Sequence, residues 1–289
     1  MASKKHYPVQ RKIRLGAALP SVATDSSVLV DREMSKVNHR LYRQSRYYTC
    51  KVDIDADLPN GTIVNVFALK DTWMNQKAYQ FAHKVFLENS KEEMAQSANG
   101  SRARWNDFRV ASGTSLTGPT LDAVGYEPGG GPVRFTSGEY VYSEVADATG
   151  ASSTFRWFGS GANTFNIIDE YDTTGNTNNE PAFPVGANVA YDGLTDELDD
   201  NQMEHVQGDG NAPPYSGQTI ENQCWIHVAT LFVDGDGGGR LSSGFFTAPC
   251  GLLTLTYGGG ATQTSVNEKI SLEVKSGDYK GVHAPSMLE

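Results

Sequence analysis

Residues 46–69, RYYTCKVDIDADLPNGTIVNVFAL, decide the fold class of this chain. Polar and apolar residues alternate in the first part, which predicts a strand over Arg46–Ile54. Leu58-Pro59-Asn60-Gly61 is a strong turn signal. Thr62–Leu69 is almost entirely apolar or β-branched, which predicts a second strand buried on both faces. Two such strands joined by a short turn indicate a β-rich protein.

Strand signals continue along the chain, separated by long tracts rich in glycine, asparagine and aspartate. The further predicted strands are Trp105–Ala111, Glu139–Val145, Thr154–Phe158, Phe165–Asp169, Gln223–Val233, Phe245–Tyr257 and Lys269–Lys275. Residues 159–221 carry few strand signals and many turn signals, which predicts a loop-rich insertion or surface projection. Many short strands with long surface loops favour a single all-β sandwich, jelly roll included.

One segment between the early strands has a helical pattern instead. Apolar residues recur there at steps of three and four, forming one stripe: Ala78, Phe81, Ala82, Val85 and Phe86. Asp71 or Thr72 is placed to cap the first exposed amides. The pattern predicts a long helix over Asp71–Ala98 that braces a sheet or lines a contact between subunits.

Charge is distributed unevenly along the chain. Residues 1–46 contain ten Lys or Arg and only three Asp or Glu, a net charge of +7, whereas the whole chain has a net charge of −10. This asymmetry predicts an extended basic N-terminal arm over residues 1–46, with a short helix around Asp31–Tyr42, on an acidic body over residues 47–289.

The start of this arm is the best candidate for a nucleic-acid contact. Five cations lie within fourteen residues that contain no acid: Lys4, Lys5, Arg11, Lys12 and Arg14. Long flexible cations follow a phosphate backbone without reading its sequence. An acidic surface of a neighbouring subunit would attract the same residues equally well, so both partners stay open.

Signatures of catalysis and metal binding are weak. Glu170 and Asp172 would share one face of a strand and could form the carboxylate pair of a glycosidase, but exposed acids at a strand end fit them better. Asp234 and Asp236 resemble part of a calcium loop whose final glutamate is missing, so a solvated acidic turn is the preferred interpretation. No catalytic residues and no cofactor are therefore predicted, and calcium at subunit interfaces is the one alternative.

The three cysteines, Cys50, Cys224 and Cys250, are odd in number and lack the spacing of metal ligands. They are predicted to be buried free thiols, which suits assembly in a reducing compartment. The chain contains no run of about 18 apolar residues, so no membrane-spanning helix and no membrane partner are predicted.

Three stretches of the chain resemble a known family. Phe245–Leu253, FFTAPCGLL, resembles the late strand of coat proteins from small icosahedral viruses. Lys269–Gly281, KISLEVKSGDYKG, resembles their closing strand and C-terminal tail. The block Val64–Ser90, followed by Arg104–Phe108, is similar to capsid proteins of environmental circular single-stranded DNA viruses. The resemblance covers about half of the chain and leaves residues 112–222 outside it.

The resemblance implies a non-enzymatic virion protein with one jelly roll of eight strands, copied many times into an icosahedral shell by self-assembly inside the host cell. It also implies a basic arm that contacts the genome, which would be single-stranded DNA. The arm of this chain is far less rich in arginine than that of circoviruses, so an RNA genome stays open. A host receptor or glycan would be a further partner.

A rival interpretation from another class is a carbohydrate- or receptor-binding β-sandwich of a phage appendage. Four aromatic residues in the loop-rich middle of the chain would stack on sugars: Trp157, Phe158, Tyr171 and Tyr191. Stacking of this kind requires exposed rings that line a concave surface.

Overall fold

The structure of the chain is a computed structural model. It describes residues 8–17, 23–55, 58–96, 103–113, 120–136, 138–146, 151–159, 163–171, 224–235, 240–262 and 266–289. Within these residues, no helix is both long enough and apolar enough to cross a membrane.

Two antiparallel sheets make up most of the described chain. In spatial order, the larger sheet contains β11 (Phe246–Pro249), β3 (Tyr47–Ile54), β13 (Ile270–Val274), β1 (Lys12–Ala17), β5 (Leu121–Tyr126) and β6 (Pro132–Arg134). The smaller sheet contains β10 (Trp225–Phe232), β4 (Ile63–Leu69), β12 (Leu252–Gly258) and β2 (Asp25–Leu29). All neighbouring strands within these two sheets are antiparallel.

The two sheets share one hydrophobic core, which confirms the all-β, sandwich-like class. Tyr48, Cys50 and Val52 of β3 are fully buried, and so are Val64 and Val66 of β4. All five belong to the same cluster of buried residues. Strand side chains alternate between faces, so each sheet contributes one apolar face to this layer.

The prediction that β4 is buried on both faces was wrong. Val64, Val66 and Ala68 are buried, whereas Ile63 and Phe67 are only partly covered. Alternate residues of a strand point to opposite faces, and only one face of β4 meets the other sheet.

The residues between β4 and β10 contain helix α2 and a small third sheet. Helix α2 spans Trp73–Gln96, and the sheet consists of β7 (Glu144–Ala146), β8 (Ser152–Arg156) and β9 (Thr164–Asn166). The Thr72 hydroxyl accepts a hydrogen bond of 3.3 Å from the Asn75 amide, which confirms the predicted helix cap.

These elements form a second hydrophobic core. The buried helix residues Ala78, Tyr79 and Ala82 pack in one cluster with Phe155 and Trp157. The rings of Tyr79 and Trp157 are stacked, with their centroids 5.9 Å apart. The apolar stripe of α2 therefore faces the small sheet and the segments around it.

Residues 1–46 do not form a single extended arm. Strand β1 lies between β13 and β5 in the larger sheet, and Ile13 and Leu15 are buried there. Strand β2 follows, and helix α1 covers Val30–Asn38. The predicted arm is therefore wrong from Lys12 onward, because alternate residues of this segment are buried in the sandwich. Residues 1–7 lie outside the described residues.

Other predicted strands differ from the structure. Trp105–Ala111 is not a strand: Ala111 forms only an isolated bridge with Arg156, and two neighbouring amides bond to side chains, Arg109 N to Ser143 Oγ and Val110 N to Gln44 Oε1. In the predicted strand Phe165–Asp169, residues 167–171 form a helical turn. Strands β5 and β6 were not predicted.

The predicted insertion and the predicted state of the cysteines can be compared with the structure only where it describes the chain. Of the predicted insertion at residues 159–221, the structure describes residue 159 and residues 163–171, and the rest lies outside the described residues. Cys50, Cys224 and Cys250 are buried and free, as predicted. Burial raises the pKa of Cys250 well above that of an ordinary thiol, which keeps it protonated.

Candidate functional site

The structure describes three of the five residues predicted to bind nucleic acid, and all three lie at β1. Lys4 and Lys5 lie outside the described residues. Arg11 directly precedes β1, and Lys12 and Arg14 are exposed on the outer face of that strand.

Two of these cations have acidic neighbours. The Arg14 guanidinium forms an ion pair with Asp55, with 3.1 Å between Nη1 and Oδ2. Lys12 lies directly opposite Glu273 of β13 in the sheet. Part of the positive charge of β1 is therefore balanced by the sheet itself.

A buried ionic network joins helix α1 to strand β5. Arg32 Nη2 and Lys36 Nζ each lie 2.8 Å from one oxygen of Asp122, and Arg134 binds the other oxygen. The fully buried Glu33 also pairs with Arg32 and Lys36. Burial alone would raise the pKa of Asp122, but hydrogen bonds from Lys36 and Arg134 lower it below the usual value. Each cation here has a carboxylate partner, so the network is structural.

Asp31, at the start of the same helix, is a buried carboxyl without an ion pair in the described chain. The Tyr140 hydroxyl donates a hydrogen bond of 2.7 Å to Oδ2, while Oδ1 has no partner among the described residues. Burial raises the pKa of Asp31 to about 7. The group is fully enclosed, so it can take up a proton but cannot meet a ligand.

Four basic residues gather at the surface beyond the end of α1. Arg40, Arg43 and Arg46 follow the helix, and Lys280 comes from the C-terminal segment, next to Tyr279. We call these four cations the Arg46 cluster.

Local backbone geometry brings the two segments together. Helix α1 ends at His39, which has a left-handed backbone with φ of 47°. Two hydrogen bonds then join the segments: the Tyr42 hydroxyl donates to the Lys280 carbonyl at 3.0 Å, and the Arg43 amide donates to the Tyr279 hydroxyl at 3.2 Å. The cluster therefore depends on contacts between residues about 240 positions apart.

Arg46 is held by two contacts from the C-terminal segment. Its guanidinium carbon lies 3.8 Å from the centre of the Tyr279 ring, a close cation–π contact. Its Nη1 donates to the Ala284 carbonyl at 3.0 Å. Its Nε is buried and has no hydrogen-bond partner among the described residues. One donor of this side chain is therefore unused.

Lys280 closes the other side of the cluster. Its ammonium group donates to the Leu41 carbonyl and lies 5.2 Å from the centre of the Tyr279 ring. Partial burial, followed by the positive charges of the three arginines, lowers the pKa of Lys280. The four cations are thus close enough to repel one another.

An open surface pocket of about 390 Å³ lies beside Arg46. Its walls are formed by Arg46, Asp278, Tyr279, His283, Ala284 and Pro285. The His283 ring is exposed and lies 2.9 Å from the Thr49 hydroxyl. The pocket therefore combines one guanidinium, one imidazole and apolar surface with a single acid, Asp278.

The Arg46 cluster has no carboxylate partner in the part of the chain that the structure describes. The ion pairs between described residues all involve other cations. Asp107 acts on Arg43 and Lys280 through its charge without forming an ion pair with either, and it is the weakest of the influences on Lys280. The cluster is therefore the main concentration of unpaired positive charge among these residues.

The candidate catalytic pair is not supported as a strand-face pair. Glu170 lies in the helical turn of residues 167–171, so the two-residue alternation of a strand does not apply to it. Asp172 lies outside the described residues.

The aromatic residues predicted to bind sugars are mostly unavailable. Trp157 and Phe158 are fully buried in the second core, which excludes them as stacking platforms. Tyr171 is partly buried and packs against Trp73 and Phe81. Tyr191 lies outside the described residues.

For the predicted calcium loop, Asp234 is exposed and Asp236 lies outside the described residues. No group of three His, Cys, Asp or Glu residues within the described ranges could hold a metal ion.

The chain was compared with protein-family models, curated proteins and solved structures. No family model, no curated protein and no solved structure matches the chain.

Proposed function

We propose that this chain is a non-enzymatic capsid protein, built on a jelly roll, that assembles with copies of itself into the icosahedral shell of a small virus. The order of its strands is the observation that carries the proposal.

A jelly roll contains eight antiparallel strands in two sheets of four. Along one sheet the first strand lies beside the eighth, the eighth beside the third, and the third beside the sixth. Along the other sheet the order is second, seventh, fourth and fifth. The larger sheet here contains the run β1, β13, β3 and β11, and the smaller sheet is β2, β12, β4 and β10. Both runs match when these eight strands are counted in chain order.

In this interpretation, the other elements are additions to the jelly roll. Helix α2 and strands β5–β9 all lie between the fourth and fifth strands of the roll, β4 and β10. Strands β5 and β6 extend the larger sheet beyond β1. The long helix is then part of an insertion that packs, in the second core, against residues of the roll such as Leu69 and Leu252.

The family resemblance agrees in position with this strand order. Phe245–Leu253 covers β11 and the start of β12, which are the sixth and seventh strands of the roll. Lys269–Gly281 covers β13, the eighth strand, and the tail after it. This agreement supports the proposal, although the stretch that resembles one late strand covers β11, a turn and the start of β12.

Exposed apolar residues support self-association. Several large side chains are more than half exposed: Trp73, Val141, Trp105, Tyr126 and Val133. Aromatic and apolar groups of this kind are enriched at the centres of protein–protein interfaces. A shell subunit would cover such surfaces when it assembles.

Negative-stain microscopy of the expressed full-length protein tests this function. We expect closed shells of uniform diameter. The ratio of absorbance at 260 and 280 nm on the same fraction reports whether the shells contain nucleic acid. Protein that stays monomeric at low and high salt, with and without calcium, would rule out the capsid proposal.

Lectins share the jelly-roll architecture, so the fold by itself does not separate the two functions. A monomer that binds a defined glycan on an array would favour the carbohydrate-binding alternative. Shells that bind a glycan would remain capsids, with the glycan as a receptor.

A further inference from the structure

We propose that the Arg46 cluster is a binding surface for the phosphate groups of a single-stranded nucleic acid. This inference rests on the proposed function for the source of the nucleic acid, which would be the packaged genome. Binding of a free oligonucleotide does not require a shell, so the two proposals can fail separately.

Uncompensated charge is the first argument. The cluster contains four cations without a carboxylate partner in the described chain, although the whole protein has a net charge of −10. Like charges held this close repel one another: after partial burial, the charges of the three arginines are the next causes that lower the pKa of Lys280. A phosphate chain would relieve this repulsion and release its own counterions on binding.

Hydrogen-bonding capacity is the second argument. The side chains of Arg40 and Arg43 are exposed and make no hydrogen bond among the described residues. A guanidinium is planar and presents paired donors that match two phosphate oxygens. The cluster therefore offers many free donors for phosphate oxygens.

The shape of the surface favours nucleic acid over the acidic face of a neighbouring subunit. The pocket beside Arg46 is concave, and about 390 Å³ lies within the size range of small-ligand pockets. In the proposed complex the phosphate lies at Arg46 and the base or sugar lies against His283 and Pro285, with Asp278 as the one acid on the same wall. A flat protein surface would leave this recess unfilled.

A pair of matched double variants tests the inference. Arg40→Gln with Arg43→Gln removes two charges from the cluster, and Lys12→Gln with Arg14→Gln removes two from β1, where the sequence predicted the contact. Wild type and each variant, as unassembled protein, are added to a fluorescent oligothymidylate of about 20 nucleotides. The fluorescence anisotropy of the oligonucleotide is measured at salt concentrations from about 50 to 200 mM. Circular dichroism and thermal unfolding check that each variant is folded.

The cluster variant should bind at least about tenfold more weakly than wild type at the lowest salt, and its salt slope should fall by about 1.4, because single strands contribute about 0.7 per lost phosphate contact. The β1 variant should stay within about twofold of wild type.

Three results would overturn the inference. The first is a wild-type protein that does not bind the oligonucleotide even at the lowest salt. The second is equal or greater loss in the β1 variant, which would assign the contact to β1. The third is a cluster variant that binds normally but no longer assembles, which would assign the cluster to an acidic surface of a neighbouring subunit.

Discussion

The basic segment Arg32–Arg46 contains two regions that differ in one respect: the cations of the first form ion pairs, and those of the second form none in the described chain. Arg32 and Lys36, on helix α1, face Asp122 of β5 and are paired. Arg46, beyond the helix, lies over the Tyr279 ring beside an open pocket, Arg43 is exposed, and neither forms an ion pair among the described residues. From the charge count alone, all of these residues were predicted to belong to one basic arm. The fold shows that a carboxylate from a distant strand decides which cations are structural and which remain available to a ligand.

Loss of the shared carboxylate should have the largest effect on stability. Asp122→Asn removes the partner of three cations in a mostly buried network, and we expect the free energy of unfolding to fall by about 3 kcal/mol. Urea denaturation followed by circular dichroism measures the change.

The matched control is Glu273→Gln, which removes one carboxylate from the more exposed Lys51 pair, at 3.2 Å, and should cost less than about 1 kcal/mol. Equal losses in the two variants would contradict the division between structural and available cations.

Asp31 is a buried carboxyl that, unlike Asp122, has no ion pair in the described chain, and its effect on stability should depend on pH. Its pKa rises from 3.8 to about 7 on folding because the group is buried. As pH rises, the unfolded chain therefore loses this proton first, and stability falls from about pH 4 to about pH 7 and then levels off. Between pH 5 and pH 8 the loss should be about 2.5 kcal/mol.

Asp31→Asn tests this pH dependence, because the variant has no proton to lose at this position. Urea denaturation at pH 5 and pH 8 should show a smaller difference than in wild type. Asp107, whose pKa is also raised by burial, should retain part of the slope. An unchanged slope in the variant would mean that Asp31 is not the titrating group. Asp122 does not interfere, because its lowered pKa moves its contribution to more acidic pH.

The sequence predicted strands well where the alternation was long. Strand β3 was predicted from alternation, and it buries every second side chain within its predicted range. Strand β4 was predicted from a nearly continuous apolar run and also lies within its predicted range, although only one of its faces is well buried. Strand β1 was missed because the alternation of exposed and buried residues lasts for only four residues, Lys12-Ile13 and Arg14-Leu15. Its exposed cations suggested an extended arm instead. Strand β2 was missed because its sequence, DSSVL, is mostly polar.

The sequence revealed the arginines of the candidate site but not the residues that lie beside them. Arg40, Arg43 and Arg46 were counted in the basic segment, but their spacing alone does not reveal a partner. Tyr279 and Lys280 lie more than 230 residues later, and hydrogen bonds through Tyr42 and Arg43 bring them alongside. A single sequence contains no local signal for contacts of this range, nor for the absence of a facing acid.

Arg46→Lys separates charge from stacking within the cluster. The variant keeps the positive charge but loses the planar contact with Tyr279 at 3.8 Å. We expect a stability loss of about 1 kcal/mol by thermal unfolding, with little change in the salt slope of oligonucleotide binding. A salt slope that fell as in the Arg40 and Arg43 double variant would mean that guanidinium geometry, and not charge, accounts for phosphate binding.

The smallest effect is expected at the ion pair of β1. The Arg14 and Asp55 side chains are 47% and 37% exposed, so water screens their attraction. A double-mutant cycle with Arg14→Gln and Asp55→Asn should give a coupling energy below about 1 kcal/mol that decreases further in high salt. A coupling as large as that at Asp122 would place Arg14 among the structural cations. A coupling near zero would mean that this pair contributes nothing to stability, and oligonucleotide binding by the β1 variant would still decide whether Arg14 contacts nucleic acid.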